Sequence, residues 1–257
     1  MKFQLLPSSF EEDGSPSARQ HLACLVINDR LAIDAGSLAM AATDKIRLEL
    51  RDVVLTHAHL DHIAGLPLFV DDLFASLDRP IVVYALKEVN EVLDRDVFNW
   101  SVFPRFSELS IASGAAIEYK AVQYGNNFEA AGLNCKLFRT DHKVPAAGVI
   151  VSDGESTVVI SGDTATLDTL SEAVSDIEDL RAILVECAFP NELADIARNS
   201  HHMTPEVLYE QLAKLRPTCP VFVINIKPRY RDEVVRQLDE LKIKGLEVMS
   251  VGKPYFW

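Results

Sequence analysis

Short apolar runs alternate along the chain with segments of helical periodicity. His21–Ile27 and Leu31–Ile33 flank Asn28-Asp29-Arg30, a pattern that predicts a hairpin. Arg51–Leu55, apolar from Val53 onward, predicts a short strand buried on both faces. Ile81–Tyr84 predicts another strand, followed by a helix over Lys87–Asp96. In the second half Ala116–Val122, Leu133–Phe138, Ala147–Ser152 and Ser156–Ser161 read as strands, the last two joined by an Asp153-Gly154 turn. A helix over Leu167–Ser175 follows, then a strand over Ala182–Glu186 and a helix over Thr204–Leu215. In that helix Thr204 suits the N-cap, Pro205 the first helical position, and Val207, Leu208, Gln211, Leu212 and Leu215 form the inward stripe. A strand over Val221–Ile226, a helix over Arg231–Leu241 and a strand over Leu246–Val251 complete the pattern. Hairpins come first, and strands alternate with helices later. No Pro-rich or Gly/Ser-rich linker divides the chain. These features predict one α/β domain over residues 1–257 with a mixed, largely antiparallel core. One stretch leaves two readings open. Phe98, Trp100, Phe103 and Phe106, interrupted by Pro104, suit either a lid over a pocket or core and subunit packing.

Composition narrows the function. Of 257 residues 48% are hydrophobic and 25% charged, an ordinary globular mixture. Lys and Arg number 25 against 38 Asp and Glu, a net charge of −13. That balance argues against long nucleic acids and anionic membranes as partners, because both require a basic footprint. No apolar run approaches the ~20 residues of a membrane span. The N-terminal segment lacks the apolar core of a secretory leader. Cys24, Cys135, Cys187 and Cys219 are widely spaced with no CxxC, which fits reduced, mostly buried thiols in a cytoplasm.

The segment Thr56-His57-Ala58-His59-Leu60-Asp61-His62 carries the strongest chemical signal. It follows an apolar strand. Residues two apart on extended backbone point the same way, so His57 and His59 can face one point. Asp61 and His62 then lie where the chain can turn into a helix and face a second point. Imidazole and carboxylate together suit Zn, Mn or Fe.

This stretch resembles the HxHxDH signature of the metallo-β-lactamase superfamily. Other pieces of that family's pattern follow in order: Ile33-Asp34-Ala35-Gly36, then Thr140-Asp141-His142, then Gly162-Asp163-Thr164. Within the superfamily, His59-Leu60-Asp61-His62-Ile63-Ala64-Gly65-Leu66-Pro67 is similar to the signature of class II cyclic-nucleotide phosphodiesterases. Phe98-Asn99-Trp100 with Phe103-Pro104, Glu186-Cys187-Ala188-Phe189, His202-Met203-Thr204-Pro205 and Ile224-Asn225-Ile226-Lys227-Pro228 resemble that family's later motifs. Ribonuclease Z is a near relative, with a Pro-Arg-Tyr ending like Pro228-Arg229-Tyr230.

The resemblance implies a four-layer αββα sandwich and a two-ion hydrolase centre. His57, His59 and His142 would hold the first ion. Asp61 and His62 would hold the second, and Asp163 would bridge. The ions implied are divalent, Zn or else Mn or Fe. Asp61, Glu186 and His202 are the implied catalytic side chains, with His202, oriented by Glu186, as general acid. The implied reaction is hydrolysis of a small phosphodiester, a 3′,5′-cyclic nucleotide such as cAMP, by a cytoplasmic enzyme that a homodimer would suit. Ribonuclease Z-like tRNA processing, another ester hydrolysis and an inactive metal-binding homologue are the rival readings. The acidic net charge and the lack of a basic arm speak against tRNA.

One position departs from the family pattern. Where a histidine is expected to complete the second ion's ligands, this chain has Asn225, a neutral and weaker donor. Three outcomes are compatible with that change. The second ion is bound weakly or is Mn or Mg, His201 substitutes as ligand, or the centre works with one ion on an altered substrate or not at all.

Overall fold

Alternating side chains on the strands of the second half sort themselves into two separate cores. Val158, Ile160, Ala182, Leu184, Phe222 and Ile224 join one apolar cluster, whereas their neighbours Val159, Ile183, Val185, Val221 and Val223 join another. A strand buried on both faces needs a layer on each side. The computed structural model, which describes residues 1–257, shows those layers.

In chain order the strands are β1 (Lys2–Leu5), β2 (Leu25–Ile27), β3 (Leu31–Ile33), β4 (Asp52–Val54), β5 (Ile81–Ala85), a small hairpin of β6 (Ser110–Ile111) and β7 (Gly114–Ala115), and β8 (Ile117–Ala121). They continue as β9 (Asn127–Ala130), β10 (Leu133–Arg139), β11 (Ala147–Ser152), β12 (Thr157–Ile160), β13 (Leu180–Glu186), β14 (Val221–Ile224), β15 (Leu246–Val248) and β16 (Pro254–Phe256). The helices are α1 (Leu38–Ala41), α2 (Asp44–Glu49), α3 (Leu60–Ile63), α4 (Gly65–Leu73), α5 (Lys87–Val92), α6 (Asp168–Val174), α7 (Ala194–Ser200), α8 (Pro205–Leu215) and α9 (Arg231–Leu241).

One seven-stranded sheet runs β16-β1-β2-β3-β4-β5-β8 and a second runs β15-β14-β13-β12-β11-β10-β9. The larger core lies between them and extends under α1, α2, α4 and α5, where Leu38, Ile46, Leu66, Phe69 and Val89 are buried. On the other side Leu170, Leu208, Leu212, Val234 and Leu238 seat α6, α8 and α9 against the second sheet. This is the four-layer αββα sandwich. Thr204 caps α8 by accepting from the Val207 amide, with Pro205 in the first turn, as the sequence predicts.

The expectation of a largely antiparallel core needs correction. Across the two large sheets, parallel and antiparallel pairings are equally represented. Each sheet begins with hairpins and finishes with helical crossovers, and a crossover returns the chain in the same direction. The predicted helix over Lys87–Asp96 also divides, since α5 passes into a π-helical turn at Leu93–Val97. The aromatic stretch is core packing. Phe98 and Phe106 are fully buried, Phe74 and Phe103 pack at tilted angles against Phe106, and Trp100 points outward. Cys24, Cys135 and Cys187 are buried free thiols and Cys219 is half-buried. No helix is long and apolar enough to cross a membrane.

Candidate metal centre

The chemistry-bearing residues gather where strands of the two sheets end. β4 runs out at Val54, the chain bends at Thr56, and His59 is the N-cap residue of α3. His57 and His59 project to the same side, their ring centroids 4.6 Å apart. Asp61 and His62 lie on α3 itself. The Ala147 amide at the start of β11 donates to the Thr56 carbonyl at 2.9 Å, which joins this loop to the second sheet. From that sheet come His142 beyond β10, Asp163 beyond β12, Glu186 at the end of β13 and Asn225 beyond β14. β12, β13 and β14 are parallel neighbours, so their C-terminal ends deliver three of these residues to one edge. Close backbone approach fixes the loops. A Cβ on Gly36 would fall 1.9 Å from the Asp61 carbonyl oxygen, so only glycine lets the β3–α1 connection lie against α3.

The imidazoles of His57, His59 and His142 offer ligand atoms within 4.8 Å of one another. Two of these rings are held in the tautomer a metal requires. His57 Nδ1 lies 3.0 Å from Thr56 Oγ1, whose own proton goes to Asp34, so His57 donates there. Its Nε2 is left unprotonated, buried and without any hydrogen-bond partner. His142 Nδ1 donates to the His201 carbonyl at 3.2 Å, which turns its Nε2 toward His59 Nδ1, 3.3 Å away. Burial, and then the neighbouring imidazoles, hold His57 well below the ordinary histidine range. Burial lowers His59 and pushes His142 down to about 4. Neutral rings with converging lone pairs and an orphaned buried acceptor fit a divalent cation.

Asp163 is fully enclosed beside this cluster. Its Oδ2 lies 3.4 Å from His62 Nε2 and 3.8 Å from His57 Nε2. These three residues form a second close grouping, which shares His57 with the first. Burial opposes its charge, but His62, His57 and His202 outweigh that and keep Asp163 well below the usual carboxylate range. His62 is itself held between two carboxylates, with Nδ1 2.7 Å from Asp34 Oδ2. Asp61 belongs to none of the ligand groupings, and its Oδ2 accepts from Lys227 Nζ at 3.0 Å. Asn225 Nδ2 donates to Asp163 Oδ1 at 2.9 Å.

A dyad completes the site. His202 Nδ1 lies 2.8 Å from Glu186 Oε1, and Glu186 also accepts from the amides of Thr164 and Met203. Although burial disfavours the imidazolium, Glu186 raises the His202 pKa above its ordinary value. His202 also groups with His142 and Asp163 within 4.8 Å.

All nine residues expected from the sequence therefore meet at one edge of the sandwich. His201, weighed there as a substitute ligand, pairs instead with Asp141 at 3.0 Å and serves through its carbonyl. Three further residues lie in segments that the sequence singles out, but the sequence assigns them no role. Asp34 accepts from the Thr56 amide and hydroxyl as well as from His62, and its φ of 59° is tolerated because Asp enters the left-handed region more easily than most residues. Thr56 orients His57, and Lys227 reaches Asp61. Besides its place in the Ile33–Gly36 motif, the clue to Asp34 is a single acid closing a buried apolar strand, since a buried carboxylate needs partners.

A model of the beta-lactamase superfamily domain matches residues 30–223. The chain belongs to the beta-lactamase superfamily. It is 28% identical over 220 residues to a Yersinia pestis protein named "Probable 3′,5′-cyclic-nucleotide phosphodiesterase", covering 75% of this chain and 62% of that one. It is 27% identical over 178 residues to the ribonuclease Z of Metallosphaera sedula, covering 66% of this chain and 54% of that one. The chain thus spans between half and two thirds of the length of these superfamily relatives. Among solved structures it resembles the metallo-β-lactamase fold protein YhfI of Bacillus subtilis, with TM-score 0.75, 16% identity and 99% of both chains covered.

Proposed function

We propose that this superfamily member is a metal-dependent phosphodiesterase acting on small phosphodiesters, 3′,5′-cyclic nucleotides foremost. The observation that carries the reading is the convergence of three neutral imidazoles beside Asp163, with the His202–Glu186 dyad facing the same point. His57, His59 and His142 would hold the ion, with Asp163 adjoining. A divalent ion there supplies Lewis acidity, which activates a water nucleophile and polarises a phosphoryl oxygen. The chain's own residues do the rest. Thr56 and the His201 carbonyl fix the ring orientations. Asp34 steadies His62 and the Thr56 hydroxyl. As water attacks phosphorus and the ester P–O bond breaks, the leaving oxygen must gain a proton. His202 supplies it from Nε2, because Glu186 holds Nδ1 and favours the imidazolium, a form that donates a proton and cannot coordinate an ion.

The relationship to ribonuclease Z gives a second reading, cleavage of precursor tRNA. The net charge of −13 opposes the many phosphate contacts that tRNA binding requires. Purified protein loaded with zinc or manganese should be assayed on cyclic AMP, cyclic GMP, bis(p-nitrophenyl) phosphate and precursor tRNA. Turnover of the small diesters and none of the tRNA is the expected result. Preferential cleavage of precursor tRNA would establish the second reading instead.

A further inference from the structure

The residues around Asp61 do not present a second ion with the donors it would need. The Asp61 carboxylate is engaged by the Lys227 ammonium at 3.0 Å. Asn225 turns its amide nitrogen to Asp163 Oδ1 at 2.9 Å, so it faces the hollow as a donor. Reversing that amide would set its oxygen against the carboxylate oxygen, two acceptors in contact. His62 has a carboxylate at each ring nitrogen, Asp34 at 2.7 Å and Asp163 at 3.4 Å. These residues line one side of a small hollow that opens to the surface past Gln20, His21 and Pro228. The base of the Lys227 side chain is anchored, since the Lys227 amide donates to the Ala188 carbonyl at 3.1 Å. Its side chain is about one-third exposed, so an incoming anion can reach it.

We infer that the centre binds one ion tightly, at His57, His59 and His142, and that the Lys227 ammonium serves where a second cation would stand, binding a non-bridging phosphoryl oxygen of the substrate. The phosphoryl half of this inference rests on the phosphodiesterase reading, whereas the metal count does not. Lysine suits the task as a compact charge on a flexible stem, able to shift from Asp61 toward an arriving oxygen. No bond is made or broken by it.

The test combines metal content with phosphate binding. Wild-type protein saturated with zinc, freed of excess by gel filtration and analysed by mass spectrometry should retain one equivalent. The Asn225→His/Lys227→Met double variant, which frees Asp61 and adds an imidazole, should retain a second. Lys227→Met alone should keep one equivalent and lose affinity for inorganic phosphate, read by calorimetry, by on the order of 10- to 100-fold, as expected for a charge-assisted contact. Lys227→Arg should restore most of it. With an active enzyme the same loss should appear mainly in KM for a phosphodiester. Two equally tight zinc equivalents in the wild type would overturn the inference, as would unchanged phosphate affinity in Lys227→Met. Should no phosphodiester be turned over, the metal count and phosphate affinity still decide it, which separates its failure from that of the proposed function.

Discussion

Around His57, His59 and His142 the chain gathers imidazole nitrogens and leaves one of them, His57 Nε2, with no partner of its own. Around Asp61 and Asp163, in the adjoining half of the same site, it satisfies its carboxylates internally, with Lys227, Asn225 and His62. The first region is unfinished without a cation and the second is nearly complete as it stands. Buried donors and acceptors are normally satisfied, so the half that leaves one orphaned is the half that awaits a ligand. Identical residue types in one motif thus take different parts according to what surrounds them.

The contrast is most sharply broken by emptying the first region. His57→Ala should abolish retention of metal and reduce phosphodiesterase activity to background, with circular dichroism unchanged, because the site lies at strand ends and both cores remain. Removing metal from the unaltered protein with a chelator should do the same reversibly and lower the melting temperature. An ion at 1,000 times its Kd contributes about 4 kcal/mol to the folded state. Next comes His202→Ala, which should lower kcat by ~10²–10⁴-fold while metal content stays at the wild-type level. If metal were lost with His202, that residue would be a ligand and the proton donor would lie elsewhere.

Much of this architecture is legible in the amino-acid sequence. The His57–His62 cluster stands out because ligands close in sequence must meet at one strand end, and β11 and α9 match their apolar patterns residue for residue. The remainder depends on partners far apart in sequence. Asp34 meets His62 across 28 positions and Lys227 meets Asp61 across 166, so neither spacing carries a local signal. The parallel pairings are hidden for the same reason, since a crossover strand finds its neighbour only through the helix between them. The motif departure at Asn225 is visible in the sequence, but the direction of its amide donor is not. That orientation follows from β14 giving way to a left-handed residue, φ 55°, beside Asp163.

Smaller effects refine the comparison. Asp34→Asn should leave the first region's ion in place yet lower activity by roughly 10–100-fold, the usual consequence of loosening a partner behind the reacting groups. A loss as complete as that of His57→Ala would mean that the two regions are not separable. Trp100→Ala should be nearly silent, within about 0.5 kcal/mol in denaturant unfolding and without effect on KM, because the indole is 56% exposed and bonds only to Glu108. A large rise in KM would return the aromatic segment to the role of a lid.

The division of the centre is tested most directly by anomalous diffraction at the zinc edge from crystals of the unaltered protein grown with zinc. One fully occupied peak within ~2.0–2.2 Å of nitrogen atoms of His57, His59 and His142, with Lys227 still paired to Asp61, is the predicted result. Two peaks of equal height, the second bound by Asp61 and His62 with Lys227 displaced, would contradict it.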